Sequence, residues 1–118
     1  MSLLGTDTFI DYIAYYLTND NDKVVIQTLL EGIPQNGYDP DGKIINSIYH
    51  LSRKCSEAED STLIKICDAV YSLCLFNGKP AFYTKGKEIL TLFIYPKYSS
   101  KVRNYARDTF KKISALEL

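Results

Sequence analysis

Pairs of apolar runs in this chain turn back on themselves near Asn21, Asp60 and Ser99, so successive reversals lie 39 and 39 residues apart. That regular distance constrains the fold more than any single residue does. The first run is Phe9, Ile10, Ile13, Tyr16 and Leu17, preceded by the cap-type residues Thr6, Asp7 and Thr8. The second is Val25, Ile26, Leu29, Leu30 and Ile33, opened by the turn residues Asn19-Asp20-Asn21-Asp22 and closed by the loop Gln35-Asn36-Gly37. Both space their apolar residues by three and four, the period of a helix with one oily stripe, and neither alternates with the period of two that a strand requires.

Asp39-Pro40 opens the second pair, with Asp as cap and Pro at the first helical position, where no N–H is needed. Ile44, Ile45, Ile48, Leu51 and Cys55 follow as a third helix, and Leu63, Ile64, Cys67, Val70, Tyr71 and Cys74 as a fourth. The fourth stops at Asn77-Gly78, with Pro80 just beyond, a helix C-terminus signature. A fifth helix starts between Pro80 and Lys87 and ends before Pro96, carrying Ile89, Leu90, Leu92, Phe93 and Ile94. The sixth runs from about Ser100 to Leu116, with Val102, Ala106, Phe110 and Ile113 on one stripe. One hairpin cannot hide both of its stripes, and stacking three supplies the missing partners. The expected core is therefore Phe9, Ile13, Leu17, Ile26, Leu29, Ile48, Leu51, Ile64, Cys67, Val70, Leu90, Phe93, Ala106, Phe110 and Ile113.

With 118 residues, 46% of them hydrophobic and 24% charged, the chain suits one domain with its own core. No apolar run reaches the ~20 residues that cross a bilayer, and Met1 to Gly5 lacks the basic start of a secretory signal. Cys55, Cys67 and Cys74 match no metal-ligand spacing and read as small buried hydrophobes, which fits the reducing cytoplasm or nucleus. Charge is divided unevenly. Residues 1–78 hold five Lys/Arg against eleven Asp/Glu, net −6, and residues 79–118 hold nine against three, net +6.

The residue inventory argues against catalysis. His50 is the single histidine, which rules out a two-His metal site, and five residues from Cys55 it lies on a different helix face. The glycines form no phosphate loop. Asp39-Pro40-Asp41-Gly42 is similar to the start of a calcium loop, but the frame has no acid at its far end. Glu57, Glu59 and Asp60 precede a helix, where its positive end favours them. A protein with no cofactor, no metal and no enzymatic activity is expected.

Val102-Arg103, then Ala106, Phe110 and Ile113, resembles the second helix of a HEAT repeat, and a period near 40 with two helices per unit is that of HEAT and armadillo arrays. The resemblance implies an all-α, right-handed α-α superhelix of three helical hairpins, with units of roughly residues 6–37, 39–78 and 80–118, whole or as a segment of a longer solenoid. It departs from the family's usual Asp-to-Arg ladder. The third unit has Arg103 but Tyr98-Ser99-Ser100 in its turn, and the first has Asp20 and Asp22 but Lys23-Val24-Val25 where Val-Arg would stand. A six- to eight-helix domain that binds peptides of transcription proteins is the competing all-α fold.

Arg103, Arg107 and Lys111 fall at i, i+4 and i+8 on the sixth helix, a row of like charges that repel unless partnered or solvated. Tyr83, Tyr95, Tyr98 and Tyr105 share this basic third, and tyrosine with arginine is the composition of interface hot spots. In HEAT-like stacks the second helices line the concave side, so the resemblance implies a partner-binding face of Lys65, Tyr98, Arg103, Arg107 and Lys111. The expected function is a protein-interaction scaffold or adaptor that grips an acidic or amphipathic segment of a partner, with no membrane role. The alternative is nucleic-acid binding, with the cations on phosphates and the tyrosines stacking on bases.

Overall fold

The computed structural model describes the backbone of residues 3–19, 22–35, 37–54 and 60–117, with side chains from Phe9 onward within those spans. Among the described residues six α-helices follow one another: α1 (Leu3–Asn19), α2 (Lys23–Gly32), α3 (Lys43–Lys54), α4 (Asp60–Asn77), α5 (Pro80–Leu92) and α6 (Ser100–Leu116). A short 3-10 turn, Ile33–Gln35, extends α2. The described residues contain no strand. The expectations for Asn21, Cys55, Glu57 and Glu59 lie outside the described residues.

Helices of like parity pack on one another. α1 lies on α3 and α3 on α5, while α2 lies on α4 and α4 on α6. Consecutive helices also meet within the pairs α1–α2, α3–α4 and α5–α6. The result is two layers, and the smallest extent of the Cα trace, 19 Å, matches two helices laid face to face. α4 touches α2, α3, α5 and α6 at once, which is why its apolar residues, Leu63, Ile66, Cys67, Ala69, Val70, Leu73 and Cys74, cover more than one stripe.

Polar contacts between helices join residues 35 to 39 positions apart in sequence. Gln27 donates to Thr62 (2.8 Å), Ser99 donates to Asp60 (2.9 Å), and Lys54 donates to the Thr18 carbonyl. Asn77 donates to the Gly37 carbonyl (2.8 Å) and accepts from the Asp39 N–H (3.1 Å), which ties the loop after α2 to the end of α4. Lysines of a later helix also reach acids or rings of its earlier neighbour. Lys43 pairs with Asp11 (2.8 Å) and Lys65 with Glu31 (3.3 Å). Lys85 lies over the Tyr49 ring (4.4 Å) and Lys112 over Tyr71 (5.7 Å). Exposed pairs of this kind are worth ~0–1 kcal/mol, so they set register more than stability.

Several local expectations are corrected. α1 begins at Leu3, so Thr6, Asp7 and Thr8 lie inside it rather than capping it. Pro40 sits in the turn ahead of α3, while the Asp39 carboxylate reaches past it to the N–H groups of Ile44 (3.1 Å) and Ile45 (3.0 Å). Phe9 is 43% exposed, because the buried stripe of α1 is Ile10, Ile13 and Leu17 and Phe9 stands at its edge. Leu29 and Phe110 pack only partly against the core, and Ile64 is half-buried.

α5 starts at Pro80, and its second turn comes close to both α4 and α6 at Gly86. A Cβ there would lie 2.9 Å from Cys74 Sγ, 3.0 Å from Val70 Cγ1 and 3.4 Å from Ile113 Cδ1. Alanine would gain up to ~1 kcal/mol of helix propensity, but overpacking of a tight core costs ~1–3 kcal/mol, and Cys74 and Val70 are themselves fully buried. Gly86→Ala is therefore expected to lower stability in urea unfolding by about 1 kcal/mol. A stabilised variant would show that the three neighbours give way freely.

Candidate functional site

α6 starts with a built cap. Ser99 accepts from the Val102 N–H (3.2 Å), and the first turn then directs Val102 and Ala106 into the core. One side of α6 faces α4: Tyr105 donates a short hydrogen bond to Asp68, and Lys112 lies over Tyr71. That bond to the Asp68 carboxylate, with partial burial, pushes the Tyr105 phenol up to about 12. The helical period puts Arg103, Arg107 and Phe110 on the opposite flank, away from α4.

That flank and α5 enclose a groove of about 290 Å³ lined by Thr91, Ile94, Arg107, Phe110 and Lys111. Ile94 and Phe110 make an apolar floor, and Arg107 and Lys111 are exposed at its rim. Neither cation forms a salt bridge among the described residues. Arg103 is half-buried beside them, and its Nε is enclosed without an acceptor among the described residues. Lys87 lies over the Phe110 ring (5.9 Å to the centroid) and pairs with Glu117.

The residues expected to share one face are not all brought together. Arg107 and Lys111 converge on the groove, with Arg103 one turn away. Lys65 is separate, turned toward α2 by its pair with Glu31, whereas the basic row points away from α4 altogether. Tyr98, expected at the partner surface, is 7% exposed and packs edge-on against Phe93, with ring centroids 5.6 Å apart. Ile94, Thr91 and Phe110 were not singled out as binding residues. For Thr91 and Ile94 the signal that could have found them is the run Ile89 to Ile94, which has more apolar residues than one stripe can bury.

Cys67 and Cys74 are free and fully buried. Burial, with Asp68 near the first and Glu117 near the second, pushes both thiols up to about 12, far from a reactive thiolate. No group of three His, Cys, Asp or Glu among the described residues could hold a metal ion. No described helix is long and apolar enough to cross a membrane. A second depression, about 250 Å³, lies between Ile10, Asp11, Pro40, Asp41 and Lys43, where Asp11 and Lys43 already pair. Compared with protein-family models, curated proteins and solved structures, the chain matches no family, no curated protein and no solved structure.

Proposed function

We propose that this protein is a non-enzymatic interaction module, a right-handed α-α superhelix of the HEAT or armadillo kind, that holds an acidic, amphipathic segment of a partner protein between α5 and α6. The observation that carries the reading is the groove of about 290 Å³ with Ile94 and Phe110 in its floor and Arg107 and Lys111 at its rim. An amphipathic helix laid there buries its apolar side on the floor and meets the cations with its acids. The repeat reading is supported by the like-on-like packing of the helices and by polar contacts such as Ser99 to Asp60, 39 residues apart.

The test is fluorescence anisotropy with labelled acidic amphipathic helical peptides. Wild type is expected to bind, and Arg107→Glu combined with Lys111→Glu to weaken binding by about tenfold or more, with added salt weakening wild type alone. Both residues are exposed, so the double variant should keep its helical content. If no such peptide binds, or the charge-reversed protein binds as well as wild type, the reading falls. Tight, steeply salt-dependent binding of single-stranded RNA by the same two cations would favour nucleic acid instead.

A further inference from the structure

The face formed by α5 and α6 has a counterpart at the other end of the stack. α1 meets α3 through Asp11, which pairs with Lys43, and through Thr18, whose carbonyl accepts from Lys54. On the opposite flank of α1 the helical period places Phe9, Tyr12 and Tyr16. Phe9 is 43% and Tyr12 51% exposed, and the Tyr12 and Tyr16 rings lie tilted against each other with centroids 4.6 Å apart. α2 meets α4 through Gln27 and Glu31, and on its opposite flank Val25 and Leu29 are half-buried. One end of the stack is thus aromatic and apolar, while the other is apolar with a cationic rim. The charges follow suit. Residues 1–37 hold five acids and one lysine, net −4, against +6 for residues 79–118. Asp11 and Glu31 already pair with Lys43 and Lys65, so this contrast draws the two ends together at long range and supplies no ion pair across the contact.

We infer that the α5–α6 face of one copy receives the α1–α2 face of a second copy, so that the protein associates head to tail. The inference rests on the groove described above and names its occupant. α1 docked on α5, and α2 on α6, continues both layers in the order in which α3 follows α1 and α4 follows α2. Arg107 and Lys111 would then lie against the rings of Phe9, Tyr12 and Tyr16, the kind of cation-on-ring contact that Lys85 makes with Tyr49 inside the stack. Like ends do not suit each other. Two basic faces repel, and two aromatic faces leave the cations unmatched. The two joined surfaces differ, so the contact is heterologous and each added copy exposes a new site.

Sedimentation velocity and light scattering at low salt, from ~10 μM to ~1 mM protein, test this. The average mass of wild type is expected to climb past that of two chains and to drop when salt is added. Two blocked variants sharpen the test. Arg107→Glu with Lys111→Glu removes the basic end, and Phe9→Ser with Tyr12→Ser strips the rings from the aromatic end without giving it a charge. All four positions are exposed, so unchanged thermal unfolding is the check on folding. Each variant alone should stay monomeric, while an equal mixture should form a species of two chains and nothing larger. Wild type that remains monomeric throughout overturns the inference, as does a mixture that fails to pair or a Phe9/Tyr12 variant that associates like wild type. If wild type is monomeric but the acidic peptide binds and needs Arg107 and Lys111, self-association is wrong and the groove reading stands. If no peptide binds yet the mixed pair forms, the second copy is the groove's occupant and the separate partner is excluded.

Discussion

Replacing Phe93 by alanine is expected to remove about 3–5 kcal/mol of stability, a large share of the ~5–15 kcal/mol that holds a domain of this size together. Phe93 ends α5, is 0% exposed, and is among the largest fully buried side chains of the core. Its ring meets Tyr98 edge-on at 5.6 Å, so truncation empties a space that Tyr98 can fill only by leaving its own buried position in the segment before Ser99. That segment leads into the cap of α6, and loosening it also disturbs the groove. In urea unfolding the midpoint should fall steeply with the slope unchanged. Phe93→Leu, which keeps most of the volume, should cost about 1.5 kcal/mol or less. A loss below about 1 kcal/mol for the alanine variant would mean that the site collapses around the vacancy.

The misreading of Tyr98 and the correct reading of Phe93 show what the sequence does and does not carry. Helix positions were legible because a stripe at intervals of three and four, bounded by Pro96 and Ser99 or by Asn77-Gly78, has few other solutions. Gly78 adopts φ 57, the left-handed stop that its position implied. The start of α5 was not legible because its buried stripe runs Phe82, Gly86, Ile89, Leu90, and its second member is a glycine, which reads as a break. A tyrosine between Lys97 and Ser99 looks like surface, and only the packing of Phe93 reveals that the turn folds its ring inward.

The candidate site was half legible for a related reason. Periodicity shows that Arg103, Arg107 and Lys111 share a flank of α6, but not which neighbour that flank meets. Tyr105 and Lys112 decide it by reaching to α4, which turns the row away from Lys65 and toward α5. Phe9 failed as a core residue on the same ground. Its spacing to Ile13 and Leu17 is right, yet it stands on the flank of α1 turned away from α3.

Asp39→Ala is expected to cost about 2–3 kcal/mol, because it strands two N–H groups at the start of α3 that have no intrahelical acceptor. Asp39 is 0% exposed, and its carboxylate accepts from Ile44 and Ile45 at 3.0 to 3.1 Å. Two influences oppose each other there. Desolvation raises its pKa and the backbone donors lower it; desolvation wins, aided slightly by Asp41, so the carboxyl titrates above its ordinary 3.8. The sign follows from linkage: a folded-state value above the unfolded one stabilises most when the group is protonated, and that contribution is lost as pH rises from about 3.8 through the folded value. Asp39→Asn keeps one acceptor oxygen and cannot ionise, so it isolates the effect. Comparing the two proteins cancels the other acids, and wild type is expected to lose stability relative to Asp39→Asn between pH 3 and pH 6, by about 1.4 kcal/mol for each unit of the shift. If wild type instead gains on the asparagine variant over that range, the backbone donors outweigh burial, and Asp39 is an ordinary ionised cap.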